Sequence, residues 1–201
     1  MEKMECKRPF TNDAIMVSKI QVYLCGDRMN YAGIGSRRTP MNILAIMRQI
    51  SKELDSAGHI CHTGGAIGAD KAFFDGAPSS TVLWLPWQGY NGFYSDTPEL
   101  YQRHIDFAAK YHPNWKACSF SARKMHGRNA QIVLGDDLKT PVDFVVCWTP
   151  DGKLTGGTAM ALRIAFDYDI PIFNLGSRLG EVEVLKKLRL FLNTGEYSPF
   201  Y

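Results

Sequence analysis

Three apolar, strand-like runs in this chain each end at a glycine-rich turn, and a helical pattern follows every one. The turns are Gly33-Ile34-Gly35-Ser36-Arg37, Thr63-Gly64-Gly65-Ala66-Ile67-Gly68-Ala69-Asp70 and Thr155-Gly156-Gly157-Thr158. A strand that feeds a helix through glycine exposes backbone N–H groups where the helix begins. The helix dipole adds partial positive charge at the same place. The pattern predicts one anion pocket, assembled from several loops at one edge of a sheet, with a nucleotide phosphate as its natural occupant.

Around these turns the elements alternate. Short apolar runs at Tyr31–Ile34, Ile60–Thr63, Thr81–Leu85, Val142–Trp148 and Ile170–Asn174 read as buried strands. Between them, Ile43, Leu44, Met47, Ile50, Leu54 and Ala57 recur at helical spacing after Thr39-Pro40. There Thr39 is the expected N-cap, Pro40 the first helical residue and Gly58 the stop. Further helices are expected over Ala69–Phe74, Pro98–Tyr111, Ser121–Leu134, Thr158–Tyr168 and Glu181–Leu192, and Ile20–Cys25 suggests one more short strand. This order predicts an α/β fold: a Rossmann-like three-layer sandwich with a mostly parallel central sheet and right-handed crossovers. Residues 1–28 read as an N-terminal extension and 29–201 as a single domain, a size that suits one core. In such sheets ligands sit beyond the carboxyl ends of the strands, where all three glycine turns lie.

Composition narrows the partners. With 23 basic and 20 acidic residues the net charge is +3, too mild to predict nucleic-acid binding on its own. No apolar run reaches the roughly 20 residues of a membrane span, and the N-terminus lacks a signal-peptide pattern. A soluble, cytoplasmic protein is expected. Five scattered cysteines (Cys6, Cys25, Cys61, Cys118, Cys147) with no Cys-x-x-Cys pair suggest neither a disulfide framework nor a zinc site. Cys25, Cys61 and Cys147 read as inert buried thiols. No spacing of histidines or carboxylates suggests a metal, no cofactor is implied, and the usual dinucleotide and ATP glycine motifs are missing.

The candidate ligand-binding residues follow from the chemistry of the turns. Gly33 and Gly35 let a phosphate approach the main chain, Ser36 offers a hydroxyl, and Arg37 or Arg38 a forked donor. Gly64, Gly65 and Gly68 suit a backbone nest around an anion. Asp70 would repel phosphate, so it either accepts a ribose hydroxyl or caps its own turn. Arg128 is a second forked donor, and Asn129 either reads a base edge or fixes a loop. Gly156, Gly157 and Thr158 repeat the first turn, with Thr158 as helix cap. Trp148 and the aromatics of the long 86–97 loop (Trp87, Tyr90, Phe93, Tyr94) either stack on a base or pack.

Taken together, these motifs resemble the SLOG superfamily, which includes Lonely Guy-type phosphoribohydrolases, DNA-processing protein A and nucleotide-sensing domains of bacterial defence systems. Gly33–Arg37 looks like the opening Gly-x-Gly-Ser turn. Thr63–Asp70 looks like the Ser-Gly-Gly-Ala-x-Gly-x-Asp stretch of DNA-processing protein A. Met125-His126-Gly127-Arg128-Asn129 resembles the Met-His-x-Arg-Lys of Lonely Guy enzymes, and Gly156-Gly157-Thr158 falls at the later glycine turn. The likeness spans about residues 30–176 and is nearest to small stand-alone phage or prophage members. There it implies a host-cytoplasmic, anti-defence role and a homo-oligomer. Lonely Guy enzymes carry a glutamate just after the later turn, whereas here Ala159-Met160-Ala161-Leu162-Arg163 follows.

Three functions are therefore in view. The first is binding of a nucleotide or ADP-ribose-like phosphoribosyl ligand, sensed or sequestered. The second is N-glycosidase action on nucleoside 5′-monophosphates, with Arg128, Asp70 and Asp151 as candidate catalytic groups. The third is single-stranded DNA binding, for which Arg37, Arg38, Arg123, Lys124 and Arg128 are a candidate basic patch.

Overall fold

The computed structural model describes residues 27–199, so the 1–28 extension, except Asp27 and Arg28, and the suggested strand at Ile20–Cys25 lie outside the described residues. Five strands form one sheet: β1 (Asn30–Gly35), β2 (Ile60–Thr63), β3 (Thr81–Leu83), β4 (Phe144–Trp148) and β5 (Ile172–Asn174). They are ordered β3-β2-β1-β4-β5 and every pairing is parallel. Six α-helices accompany them: α1 (Met41–Ser56), α2 (Ala69–Gly76), α3 (Gln102–Ala109), α4 (Phe120–Leu134), α5 (Thr158–Asp167) and α6 (Glu181–Thr194).

The expected three layers follow from the period-two alternation of the strands. On one face Tyr31 of β1 and Phe144 and Val146 of β4 pack with α1, α2 and α6 through Met47, Ile50, Phe73, Val184 and Leu188. On the other, Ala32, Ile34, Val145 and Cys147 pack with α4 and α5 through Ile132, Leu134, Met160 and Ile164. Strands covered on both sides must be apolar throughout, which is why β4 reads Phe-Val-Val-Cys-Trp without a polar break. Cys61 and Cys147 are buried here as expected, and burial pushes the Cys61 thiol up to about 12.

The chain runs outward from β1 through β2 to β3, then crosses back to β4 on the other side of β1. Neighbouring strands β1 and β4 therefore lead away in opposite directions at their carboxyl ends. This is the switch point at which open α/β sheets leave a crevice. The register aligns Gly35 with Trp148, so the two loops that follow start side by side.

Three local expectations change. Thr39 does not cap α1: Pro40 is the capping residue, and the Thr39 hydroxyl donates to the Ser36 carbonyl at 2.7 Å. Thr158 is the first residue inside α5, with Gly157 before it as cap. The helix expected from Pro98 begins at Gln102. Gly58 ends α1 as expected, at φ +86°.

Gly33 lies under α2, where a Cβ would stand 2.5 Å from the Phe73 ring. Gly33→Ala should therefore overpack this face and cost about 1–3 kcal/mol, read as a lowered midpoint in urea denaturation. An unchanged midpoint would mean that α2 is free to move off the sheet.

Candidate functional site: a cleft at the carboxyl edge

A cleft of about 550 Å³ opens beyond β1 and β4. Its walls come from the loop after β1 (Gly35, Ser36, Arg37, Arg38), the loop after β4 (Pro150, Thr155, Gly156, Gly157, Thr158), Ala66 and Asp70 of the turn that leads into α2, and Met125, His126, Arg128 and Asn129 of α4. All three glycine turns thus contribute to one cleft, the second through Ala66 and Asp70 and not through its glycines.

The turn after β1 is set by its own polar groups. Ser36 N–H donates to the Trp148 carbonyl at 3.2 Å, tying the turn to β4. Its hydroxyl accepts the Arg38 N–H at 3.0 Å. Arg37 is exposed, and its Nη2 donates to the Tyr90 hydroxyl at 3.2 Å. The turn before α5 is anchored from α4: Asn129 Nδ2 donates to the Gly157 carbonyl at 3.1 Å, so Asn129 fixes a loop. Gly156 takes φ +69°, a backbone that side chains rarely adopt. Among the described residues the N–H groups of Arg37, Gly156, Gly157 and Thr158 donate to no protein acceptor. The last three are consecutive and lead into a ten-residue helix.

Arg128 and Asp70 form the buried charge of the site. Arg128 Nη1 lies 3.1 Å from Asp70 Oδ2, and each side chain is only 5 % exposed. Asp70 Oδ2 also accepts the Ala66 N–H at 3.4 Å, so it is tied within its own turn, as one of its two sequence readings held. Burial pushes the Asp70 carboxyl above its ordinary range, and the Arg128 guanidinium is the largest influence opposing that rise. The Arg128 guanidinium carbon lies over the Tyr90 ring, 5.9 Å from its centre, and its Nε is buried without a hydrogen-bond partner among the described residues. Burial, reinforced by the neighbouring His112 and Arg128, lowers His126 to about 4, so its imidazole is neutral at pH 7.

The remaining expected ligand residues lie outside the lining of this cleft, each for a visible reason. Gly64 makes room for Arg128, since a Cβ there would overlap the guanidinium. Gly65 lies against Leu85 and Phe93, and Gly68 passes closely behind the Ser36–Arg37 backbone. The second turn therefore supports the first and seats Arg128 rather than forming an anion nest. Gly33 serves packing, as above. Trp148 packs against the α1/α2/α6 core, and Tyr90 and Phe93 join Leu83, Leu85 and Ala66 in a small apolar cluster. Asp151 stands outside the lining with its side chain 69 % exposed, and it pairs with Lys153.

Asn174 was missed by sequence reasoning. From the end of β5 its Oδ1 accepts the N–H of Thr149 at 3.1 Å and of Gly176 at 3.0 Å, while its Nδ2 donates to the Thr149 hydroxyl at 2.7 Å. That network fixes where the chain leaves β4. An asparagine closing an apolar strand is the faint signal that marks it.

With this geometry in hand, one solved structure is informative. The structure of DNA-processing protein A from Helicobacter pylori, which describes how that protein binds single-stranded DNA, aligns with 85% of this chain and 82% of its own at TM-score 0.50 and 21% identity. The chain has a DNA-processing protein A-like Rossmannoid fold. No family model and no curated protein matches the chain. No described helix is long and apolar enough to cross a membrane.

Proposed function

We propose that the cleft binds the phosphate of a nucleotide or a related phosphoribosyl compound. The observation that carries this reading is the run of three amides at Gly156, Gly157 and Thr158, without a protein acceptor among the described residues, in the wall of the same cleft as Arg37 and Arg38 at the sheet's switch point. Unpaired N–H groups at a helix start, with a dipole behind them, accept an anion with little rearrangement. Asp70, the carboxylate in the wall, is already compensated by Arg128, so the cleft keeps the positive charge of Arg37 and Arg38. The ribose and base would extend along the cleft toward Met125.

This is a binding site rather than a glycosidase centre on the groups present. Asp70 is committed to Arg128, Asp151 faces solvent, and the α5 position that would carry a catalytic glutamate holds alanine and methionine. Mass spectrometry of the protein incubated with nucleoside 5′-monophosphates should therefore find bound nucleotide and no released base. Accumulating free base would replace this reading with the hydrolytic one.

A second reading is single-stranded DNA binding, favoured by the shared fold and by the exposed Arg37 and Arg38 at the cleft mouth. Fluorescence anisotropy separates the two. A mononucleotide site saturates with nucleotide and is indifferent to oligonucleotide length. A strand-binding site prefers oligonucleotides, and its affinity falls steeply as salt rises.

A further inference from the structure

The connection from α3 to α4 folds back on α4 and gathers three side chains that sequence spacing does not link. His112 and Cys118 come from the connection and His126 from the second turn of α4. One ligand-type atom from each lies within 4.8 Å of the others. Cys118 Sγ is 3.6 Å from His112 Nδ1 and 3.7 Å from Nε2. The two imidazole rings are 4.5 Å apart between centres. A tetrahedral zinc ion, with its usual bond lengths to sulfur and nitrogen, holds those two atom types about 3.6 Å apart. The sulfur lies about equally far from both nitrogens of His112, and Nδ1 accepts the Asn114 N–H at 3.3 Å, so Nε2 is the atom left for a metal and the ring must turn for it to share an ion with the sulfur.

We infer that His112, Cys118 and His126 form a binding site for a zinc-type divalent ion at the edge of the cleft. The donor set selects the ion. One thiolate and two imidazoles suit zinc, and they do not suit magnesium or calcium, which take oxygen ligands. An independent observation points the same way: His126 Nδ1 is buried and has no hydrogen-bond partner among the described residues. Buried polar atoms are rarely left so, and a metal bond would satisfy this one. Trp115 packs edge-on against His112 and at a tilt against His126, at 5.9 Å and 6.1 Å between ring centres. Three protein ligands leave a fourth position for water, the arrangement of open zinc sites. His126 also lines the cleft, which gives that water a route to solvent. Cys118 would bind as thiolate, releasing its proton and reducing the charge of the ion beside Arg128.

This inference stands apart from the nucleotide reading and is tested without nucleotide. The reduced, chelator-stripped full chain is titrated with cobalt(II). One equivalent should give the intense visible bands of a tetrahedral ion and a thiolate-to-cobalt charge-transfer band, and zinc should displace both. Cys118→Ser should abolish the charge-transfer band, and His112→Ala and His126→Ala should each weaken cobalt affinity by about tenfold or more. Circular dichroism checks that each variant folds. If His126→Ala does not, His112→Ala on the connection reads the same ligand set. Cys6→Ser/Cys25→Ser should leave the spectrum unchanged. A weak six-coordinate spectrum indifferent to all these changes, or one lost only with Cys6 and Cys25, would overturn the site.

Discussion

Asp70→Leu should destabilise the fold by about 3–5 kcal/mol, because it strands the Arg128 guanidinium in a buried site. The partner is 4 % exposed, and arginine has no neutral form to retreat to. Arg128→Met should behave differently, because a carboxyl can escape by taking up a proton. Burial already raises Asp70, and Arg128 is the largest influence holding it down, so removing Arg128 lets it rise further. A carboxyl whose folded pKa exceeds its unfolded value of about 3.9 contributes stability that is present below that value and lost as pH rises through the folded one. The gap between Arg128→Met and the parent should therefore be small near pH 4 and widen toward neutrality. Asp70→Leu has no such recovery. The double variant Asp70→Leu/Arg128→Met removes both charges and should regain most of the loss. Urea denaturation across this pH range reads all three. Asp70→Leu at parental stability would show that the pair is not closed off from water.

Gly157→Glu should lower the affinity for a nucleoside 5′-monophosphate about a hundredfold, equivalent to roughly 2.7 kcal/mol. Position 157 is a clean place to ask. Its φ of −65° and ψ of −29° suit any residue, and a Cβ there meets nothing within 4 Å. The variant should fold as the parent does while placing a carboxylate where the phosphate would sit. Gly157→Ala keeps the N–H and adds no charge, so it should bind within a few-fold of the parent. Gly156 would be a poor choice, since its φ of +69° makes any side chain strained. Isothermal titration calorimetry compares the three proteins. Equal affinity in Gly157→Glu would move the phosphate away from this turn.

The layered fold was legible because doubly covered strands are unbroken apolar runs. Within the expected strand Val142–Trp148, the stretch after Asp143 carries that signal directly, and it is strand β4. The convergence of the three turns was legible too, since all follow strands and must point to the same edge. The glycines of the second turn misled because a glycine admits more than one cause. At Gly64 the cause is the Arg128 side chain, delivered from α4, 64 positions later in the sequence. Thr39 misled because its hydroxyl has a competing acceptor, the Ser36 carbonyl, that only the folded turn supplies. The His112, Cys118 and His126 group had no periodic signature at all. An irregular connection brings it together, and no local rule describes that path.

Amide-resolved NMR during titration with a nucleoside 5′-monophosphate is the most direct measurement. The N–H signals of Gly156, Gly157 and Thr158, together with Arg37, should move first and furthest, and the corresponding nucleoside without phosphate should leave them in place. Shifts centred elsewhere, or equal shifts with the unphosphorylated nucleoside, would contradict it.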